Sequence, residues 1–210
     1  MRICLDTDIQ QLSDCHPEDW VRNAIEGDSL PAVKLLLEDD VADVNEALGY
    51  AIELRRVSIV DFLLDRGADP NIRIYAFVTN FEHSLSPVSY AGYSNDAVLM
   101  RVLLDHGLDV EDPDYDLRPI FWAIKYNNLD MARMLIYRGA DISPQEYDLD
   151  WPLSQAIRFG RREIVQLLLD KGGPLRPSID SEWLLRLVED YGDEQVKQLF
   201  PHGLLDIPRN

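Results

Sequence analysis

The sequence is short of cysteine, of basic residues and of long apolar runs, and each shortage removes a class of protein. Its two cysteines, Cys4 and Cys15, cannot build a disulfide framework. Cys15 and the adjacent His16 fit none of the ligand spacings of four-coordinate zinc sites. The longest apolar stretches, such as Ala32 to Leu37 interrupted by Lys34, fall far short of the roughly 20 residues that cross a bilayer. The N-terminus carries Arg2, Asp6 and Asp8 without an apolar run of signal-peptide length, so a cytoplasmic protein is expected, with the nucleus also open to it. Basic residues number 20 against 38 acidic ones, a formal charge of −18 that repels nucleic-acid phosphates and anionic lipid headgroups. That balance leaves a protein partner with a basic surface or segment, or no electrostatic role beyond solubility, with no direct contact to nucleic acid or membrane.

Several chemistries are missing too. Glycines stand singly apart from Gly172-Gly173, and no Gly-Lys-Ser/Thr follows any of them, so a nucleotide has no phosphate loop to sit in. His16, His83, His106 and His202 are too dispersed for metal or base chemistry, and His106 stands just before a helix-ending glycine. The run Asp112-Pro113-Asp114-Tyr115-Asp116 looks superficially like a calcium loop. It has Leu117 where that loop turns on glycine and Ala123 where it ends on glutamate. Carboxylates are so frequent that no pair stands out as a general acid and base. No catalytic residue, metal or cofactor is therefore assigned, and the chain is read as a non-enzyme.

What the sequence does have is a period. Apolar clusters ending in a turn recur at Leu35-Leu36-Leu37, at Phe62 to Asp69, at Val102 to Asp109, at Leu135 to Asp141 and at Leu167 to Gly173. Asp69 and Asp109 are 40 residues apart, Asp109 and Asp141 are 32 apart, and Gly139 and Gly172 are 33 apart. Upstream of four of these clusters lies a second short apolar segment: Leu48 with Ala51-Ile52, Val88 with Ala91-Gly92, Ile120 with Ala123-Ile124, and Leu153 with Ala156-Ile157. Apolar residues at i, i+3 and i+4 form one buried helix face. The recurrent small Ala lets neighbouring helices approach. Pro87, Pro119 and Pro152 precede three of these segments, where a missing N–H is tolerated, and Gly67, Gly107, Gly139 and Gly172 supply stop signals.

This combination resembles the ankyrin repeat, whose pattern runs from a Thr-Pro-Leu-His start through paired alanines to Leu-Leu and a closing Gly-Ala-Asp. Trp151-Pro152-Leu153-Ser154 through Leu167-Leu168-Leu169 matches most closely, and the resemblance covers about residues 19–175. It implies an all-α solenoid of about five helix-turn-helix units with short β-hairpin fingers, in a single domain over residues 1–210. The repeats fall at about 19–45, 46–71, 72–110, 111–142 and 143–175, and a helical C-terminal cap at 176–210 shields the last one.

The departures carry information. Ser86 and Ser89, or Arg118 and Phe121, replace the Thr and His of the starting motif, which removes their usual hydrogen bonds. Only 26 residues separate Asp43 from Asp69, so a tight turn is expected at Asn45-Glu46 in place of a full finger. Between Asn71 and Ser86 the chain is about seven residues too long, which predicts an extended finger or loop bearing Tyr75, Phe77, Phe81 and His83.

Ankyrin-like stacks commonly bind proteins on the concave surface formed by their fingers and inner helices. The register places Tyr93 and Ser94, Lys125 and Tyr126, and Arg158 and Phe159 at the exposed ends of successive inner helices. The fingers add Asp112, Asp114, Tyr115 and Asp116, then Tyr147, Asp148, Asp150 and Trp151. Trp122 reads as core. The preferred function is a monomeric, non-catalytic interaction module that binds a basic protein or peptide on this acidic and aromatic surface, because aromatic residues and Arg dominate interface energetics. Two alternatives use the same scaffold: an inhibitor or immunity protein neutralising a basic toxin or nucleic-acid enzyme, and a scaffold that has acquired catalysis near the third-repeat insertion.

Overall fold

In a computed structural model of the chain, the structure describes residues 17–38, 43–74, 85–111, 118–143, 152–171 and 181–200. Helices come in pairs: α1 (Pro17–Glu26) with α2 (Leu30–Glu38), α3 (Val44–Glu53) with α4 (Val57–Asp65), and α5 (Pro87–Tyr93) followed by α6 (Ala97–Asp105). The series continues with α7 (Pro119–Lys125) and α8 (Leu129–Tyr137), α9 (Pro152–Arg158) and α10 (Arg162–Asp170), and closes with α11 (Ser181–Tyr191) and α12 (Glu194–Lys197). Among the described residues there is no strand, only an isolated antiparallel bridge between Ile74 and Leu85. None of these helices is long and apolar enough to cross a membrane.

The chain forms two compact units, Met1–Pro87 with Asp105–Leu108, and Val88–Leu104 with Asp109–Asn210. In the first, α1 packs on α3 and α2 on α4, so inner helix meets inner and outer meets outer. The i, i+4 pairs Leu48 and Ile52 of α3, and Ile59 and Leu63 of α4, are fully buried, the stripe that a 3.6-residue turn puts on one side. In the second, α9 lies between α7 and α11, and α10 touches both α8 and α12. Ile120, Ile124, Leu135, Ile157, Ile164 and Leu184 fill its core. The terminal pair therefore covers the last repeat in the way the sequence predicts of a cap.

Two polar devices stitch the repeats. The closing Asp of the first four repeats accepts a hydrogen bond from the backbone N–H two residues on: Asp43 from Asn45 (2.7 Å), Asp69 from Asn71 (2.8 Å), Asp109 from Glu111 (2.9 Å) and Asp141 from Ser143 (2.8 Å). Such Asx turns fix the chain without a strand. The side chain at that second position then accepts from the next repeat, Asn45 Oδ1 from the Asp69 N–H at 2.6 Å and Glu111 Oε1 from the Asp141 N–H at 2.7 Å. The second device is an arginine that closes off a neighbouring helix. Arg56 donates to the carbonyls of Ile25 (3.2 Å) and Glu26 (2.7 Å), and Arg161 to those of Ile124 (3.2 Å) and Lys125 (3.0 Å). Last-turn carbonyls lack intrahelical donors, and a guanidinium both satisfies them and complements the helix dipole.

Three expectations meet the structure in an altered or partial form. Asn45 and Glu46 do not make a tight turn: they lie in the first turn of α3, because Asp43 already serves as its N-cap and the clipped unit passes straight from the cap into helix. The overlong segment after Asn71 is pinned at its base by Ile74 and Leu85, whose N–H and C=O groups exchange bonds of 2.8 and 3.0 Å; Tyr75, Phe77, Phe81 and His83 lie outside the described residues. Gly67, Gly107 and Gly139 end the outer helices at positive φ as expected, while Gly172 lies outside the described residues. Ser154, at the motif's His position, is fully buried, and its Oγ has no hydrogen-bond partner among the described residues.

Candidate functional site

Within the second unit, the ends of α5, α7 and α9 carry the expected surface residues. Each helix ends on one of them, Tyr93, Lys125 and Arg158, and Ser94, Tyr126 and Phe159 follow. The next residue of each is left-handed: Asn95 (φ 53°), Asn127 (φ 54°) and Gly160 (φ 65°). Tyr126 and Phe159 are 40% and 48% exposed, well above what packing requires of a large aromatic residue. Tyr93 is half-buried, and Lys125 and Arg158 are exposed.

Trp122 is the hub of this surface and is buried, as its reading as core requires. Tyr93 meets the indole edge-on, with centroids 5.3 Å apart and planes at 83°. Tyr126 stacks on it at 6.2 Å and 18°. Both arrangements suit the aromatic quadrupole. Lys125 Nζ sits 4.7 Å from the Trp122 ring centre and 6.0 Å from that of Tyr126, a cation over two π faces. Partial burial, and secondarily the neighbouring Tyr93, pushes the Tyr126 phenol above its ordinary value, so it stays a neutral hydrogen-bond donor at physiological pH. Gly92 makes this assembly possible: a Cβ there would come within 3.1 Å of Trp122 Cδ1 and 3.3 Å of Pro119 Cα.

One repeat further on, Arg158 lies 5.5 Å over the ring of Tyr191 in α11, and Arg161 lies 5.8 Å from that of Phe159. Arg161 thus joins two tasks, since its other nitrogens hold the end of α7 beneath Lys125 and Tyr126. Neither Tyr191 nor Arg161 is among the residues expected at this surface. A signal for Arg161 was present, because Arg56 stands at the same repeat position; Tyr191 lies beyond the periodic region and had none.

The remaining expected site residues, Asp112, Asp114, Tyr115, Asp116, Tyr147, Asp148, Asp150 and Trp151, lie outside the described residues. Next to the first group, Arg118 is almost wholly buried, 3.7 Å from the Glu111 carboxylate and 4.8 Å over the Phe121 ring. Burial raises the Glu111 pKa above the ordinary carboxylate value, against the lowering effects of the Asp141 N–H and of Arg118. His106, expected near a helix end, is hydrogen-bonded through Nε2 to Asp61 at 2.9 Å in the first unit. Among the described residues, no group of three or more His, Cys, Asp or Glu side chains is placed to hold a metal ion.

The ends of α5, α7 and α9 thus present an array of rings and cations on a helical scaffold. A family profile described as ankyrin repeat matches residues 46–75, and one described as ankyrin repeats in many copies matches residues 120–169. A search of the curated proteins returns no match. The two matched stretches fall on the helix pairs α3–α4 and α7–α10, and α6, outside them, ends on the same kind of left-handed glycine, Gly107. The chain contains ankyrin repeats, which serve as protein–protein interaction modules.

Proposed function

We propose that the protein is a non-catalytic binding module that docks a partner protein across the ends of α5, α7 and α9, and that this partner is basic overall. The observation that carries the reading is the cluster of Tyr93, Trp122 and Tyr126 with Lys125 above it, extended one repeat on by the exposed Phe159. Aromatic rings held by their neighbours bury large area with few torsions to freeze, which is the property of interface hot spots. The charge of −18 supports a basic partner, since it attracts one at long range and raises the encounter rate. Carboxylates at Asp112, Asp114, Asp116, Asp148 and Asp150, in the segments that precede α7 and α9 in sequence, add to that attraction.

The test is affinity capture from cell extract with identification by mass spectrometry, followed by measured affinities for the captured protein. Tyr126→Ala and Phe159→Ala are each expected to weaken binding by about 30-fold, the scale of a hot-spot truncation. Raising salt from about 0.05 to 0.5 M should weaken it further, by screening the long-range attraction. Unchanged affinity in both variants would place the docking face elsewhere.

A further inference from the structure

Resting on that docking face, we infer the chemistry of the partner segment: it runs extended across the ends of α7 and α9 and carries two carboxylates, one for Lys125 and one for Arg158, with apolar side chains beside them. The partner is basic as a whole, and its register on this face is set by two acids.

The chain has nearly twice as many acidic as basic residues, and among the described residues Arg22 pairs with Glu26 at 3.2 Å and Arg118 with Glu111 at 3.7 Å. Lys125 and Arg158 are placed differently. Both are exposed, they occupy the same position one repeat apart, and among the described residues neither makes an ion pair. Their charged ends lie over rings instead, Lys125 over Trp122 at 4.7 Å and Arg158 over Tyr191 at 5.5 Å. A cation held over a ring keeps its outward donors for a second ligand, and the ring reduces the water competing for them. Exposed Tyr126 and Phe159, next in sequence to each cation, supply apolar contact.

Spacing makes the inference specific. Helices packed side by side lie about 8–10 Å apart, and an extended chain advances about 3.3 Å per residue, so the two acids stand about three residues apart. A polyanion such as single-stranded nucleic acid would also favour rings with cations, but the −18 charge opposes its approach.

The experiment is selection of a random 12-residue peptide library on the full chain, with affinities of selected peptides measured by fluorescence anisotropy. Enrichment of Asp or Glu pairs three residues apart with apolar neighbours is expected. Their binding should fall at least about 30-fold in the Lys125→Glu/Arg158→Glu double variant, which should itself select Lys or Arg at those positions. Circular dichroism of that variant should match the parent, since both side chains are exposed. Selected peptides that depend on Tyr126 yet show no acidic preference, or bind the double variant equally well, would overturn this inference while leaving the docking face intact. Peptides indifferent to Tyr126→Ala and Phe159→Ala would overturn the docking face itself. A library yielding no acidic pairs, or an oligothymidylate of 12 nucleotides whose binding depends on Lys125, would also overturn the inference.

Discussion

Replacing Gly92 by alanine tests whether the aromatic cluster is as tightly seated as its geometry implies. In an open helix the change would stabilise the protein by about 0.5–1 kcal/mol, because alanine has less backbone entropy to lose. At this site the new Cβ would stand 3.1 Å from Trp122 Cδ1, 3.3 Å from Trp122 Cβ and 3.3 Å from Pro119 Cα. Carbon atoms prefer separations of about 3.5–4.0 Å, so something must move. The indole is held edge-on by Tyr93 and stacked by Tyr126, and the proline atom is backbone at the start of α7. Overpacking of this kind costs about 1–3 kcal/mol. With the propensity gain subtracted, a net loss of about 1 kcal/mol remains, or about 2–4 °C in Tm for a chain of this size. Urea denaturation followed by circular dichroism would measure it, alone and in a Trp122→Leu background where a smaller, flexible side chain can turn away. The cycle should show a coupling of about 1 kcal/mol between the two positions. If Gly92→Ala stabilises the protein, or shifts stability equally in both backgrounds, the tight seating of Trp122 is refuted. A displaced indole would also disturb Tyr126, so Gly92→Ala should weaken partner binding.

Three further substitutions probe the scaffold. Ser154→Ala removes a buried hydroxyl that has no partner among the described residues and should stabilise the protein by about 1 kcal/mol in chemical denaturation; a loss of stability would show that the hydroxyl is satisfied. Arg161→Met removes two donors from the end of α7 and should cost about 2 kcal/mol, against almost nothing for Arg162→Met, whose parent side chain is exposed; equal effects would remove the capping role. Glu111 gives a pH test with a defined sign. Its folded pKa is raised, so its contribution to stability is fully present below the ordinary carboxylate pKa and is lost as pH rises through the folded value. Denaturation midpoints should therefore rise more between pH 7 and pH 4 in the parent than in Glu111→Gln, which retains an oxygen for the Asp141 N–H. Parallel pH dependences would contradict a raised Glu111.

The repeat was legible because its signals are local. Proline at the first residue of α7 and α9, alanine at 91, 123 and 156, and glycine after α4, α6, α8 and α10 report on backbone needs that recur at the same place in successive units. The positions of Tyr93, Lys125, Tyr126, Arg158 and Phe159 followed at fixed offsets from those alanines. What those residues touch did not follow. Arg161 reaches carbonyls 36 and 37 positions earlier, and Tyr191 comes under Arg158 from a helix outside the periodic region. The relay between turns was hidden for another reason: Asn45 and Glu111 do the same job with different side chains, and what they share is reach, which leaves no pattern in the letters. The tight turn expected at Asn45-Glu46 came from counting residues, and Asp43 spends them differently by starting a helix at once.

The left-handed residues that follow the exposed helix ends have a kinetic consequence. Asn95, Asn127 and Gly160 each donate their N–H to the carbonyl three residues back, at 3.0, 3.1 and 3.0 Å, so the backbone turns under a hydrogen bond immediately after Ser94, Tyr126 and Phe159. On the proposed docking face, the described helix ends leave a partner only side-chain rotations to arrest, each worth about 0.5–1.5 kcal/mol. Association should then proceed in a single phase at a rate limited by diffusion and orientation, about 10⁵–10⁷ M⁻¹s⁻¹ before electrostatic acceleration. Differences in lifetime among partner sequences would arise almost wholly in dissociation.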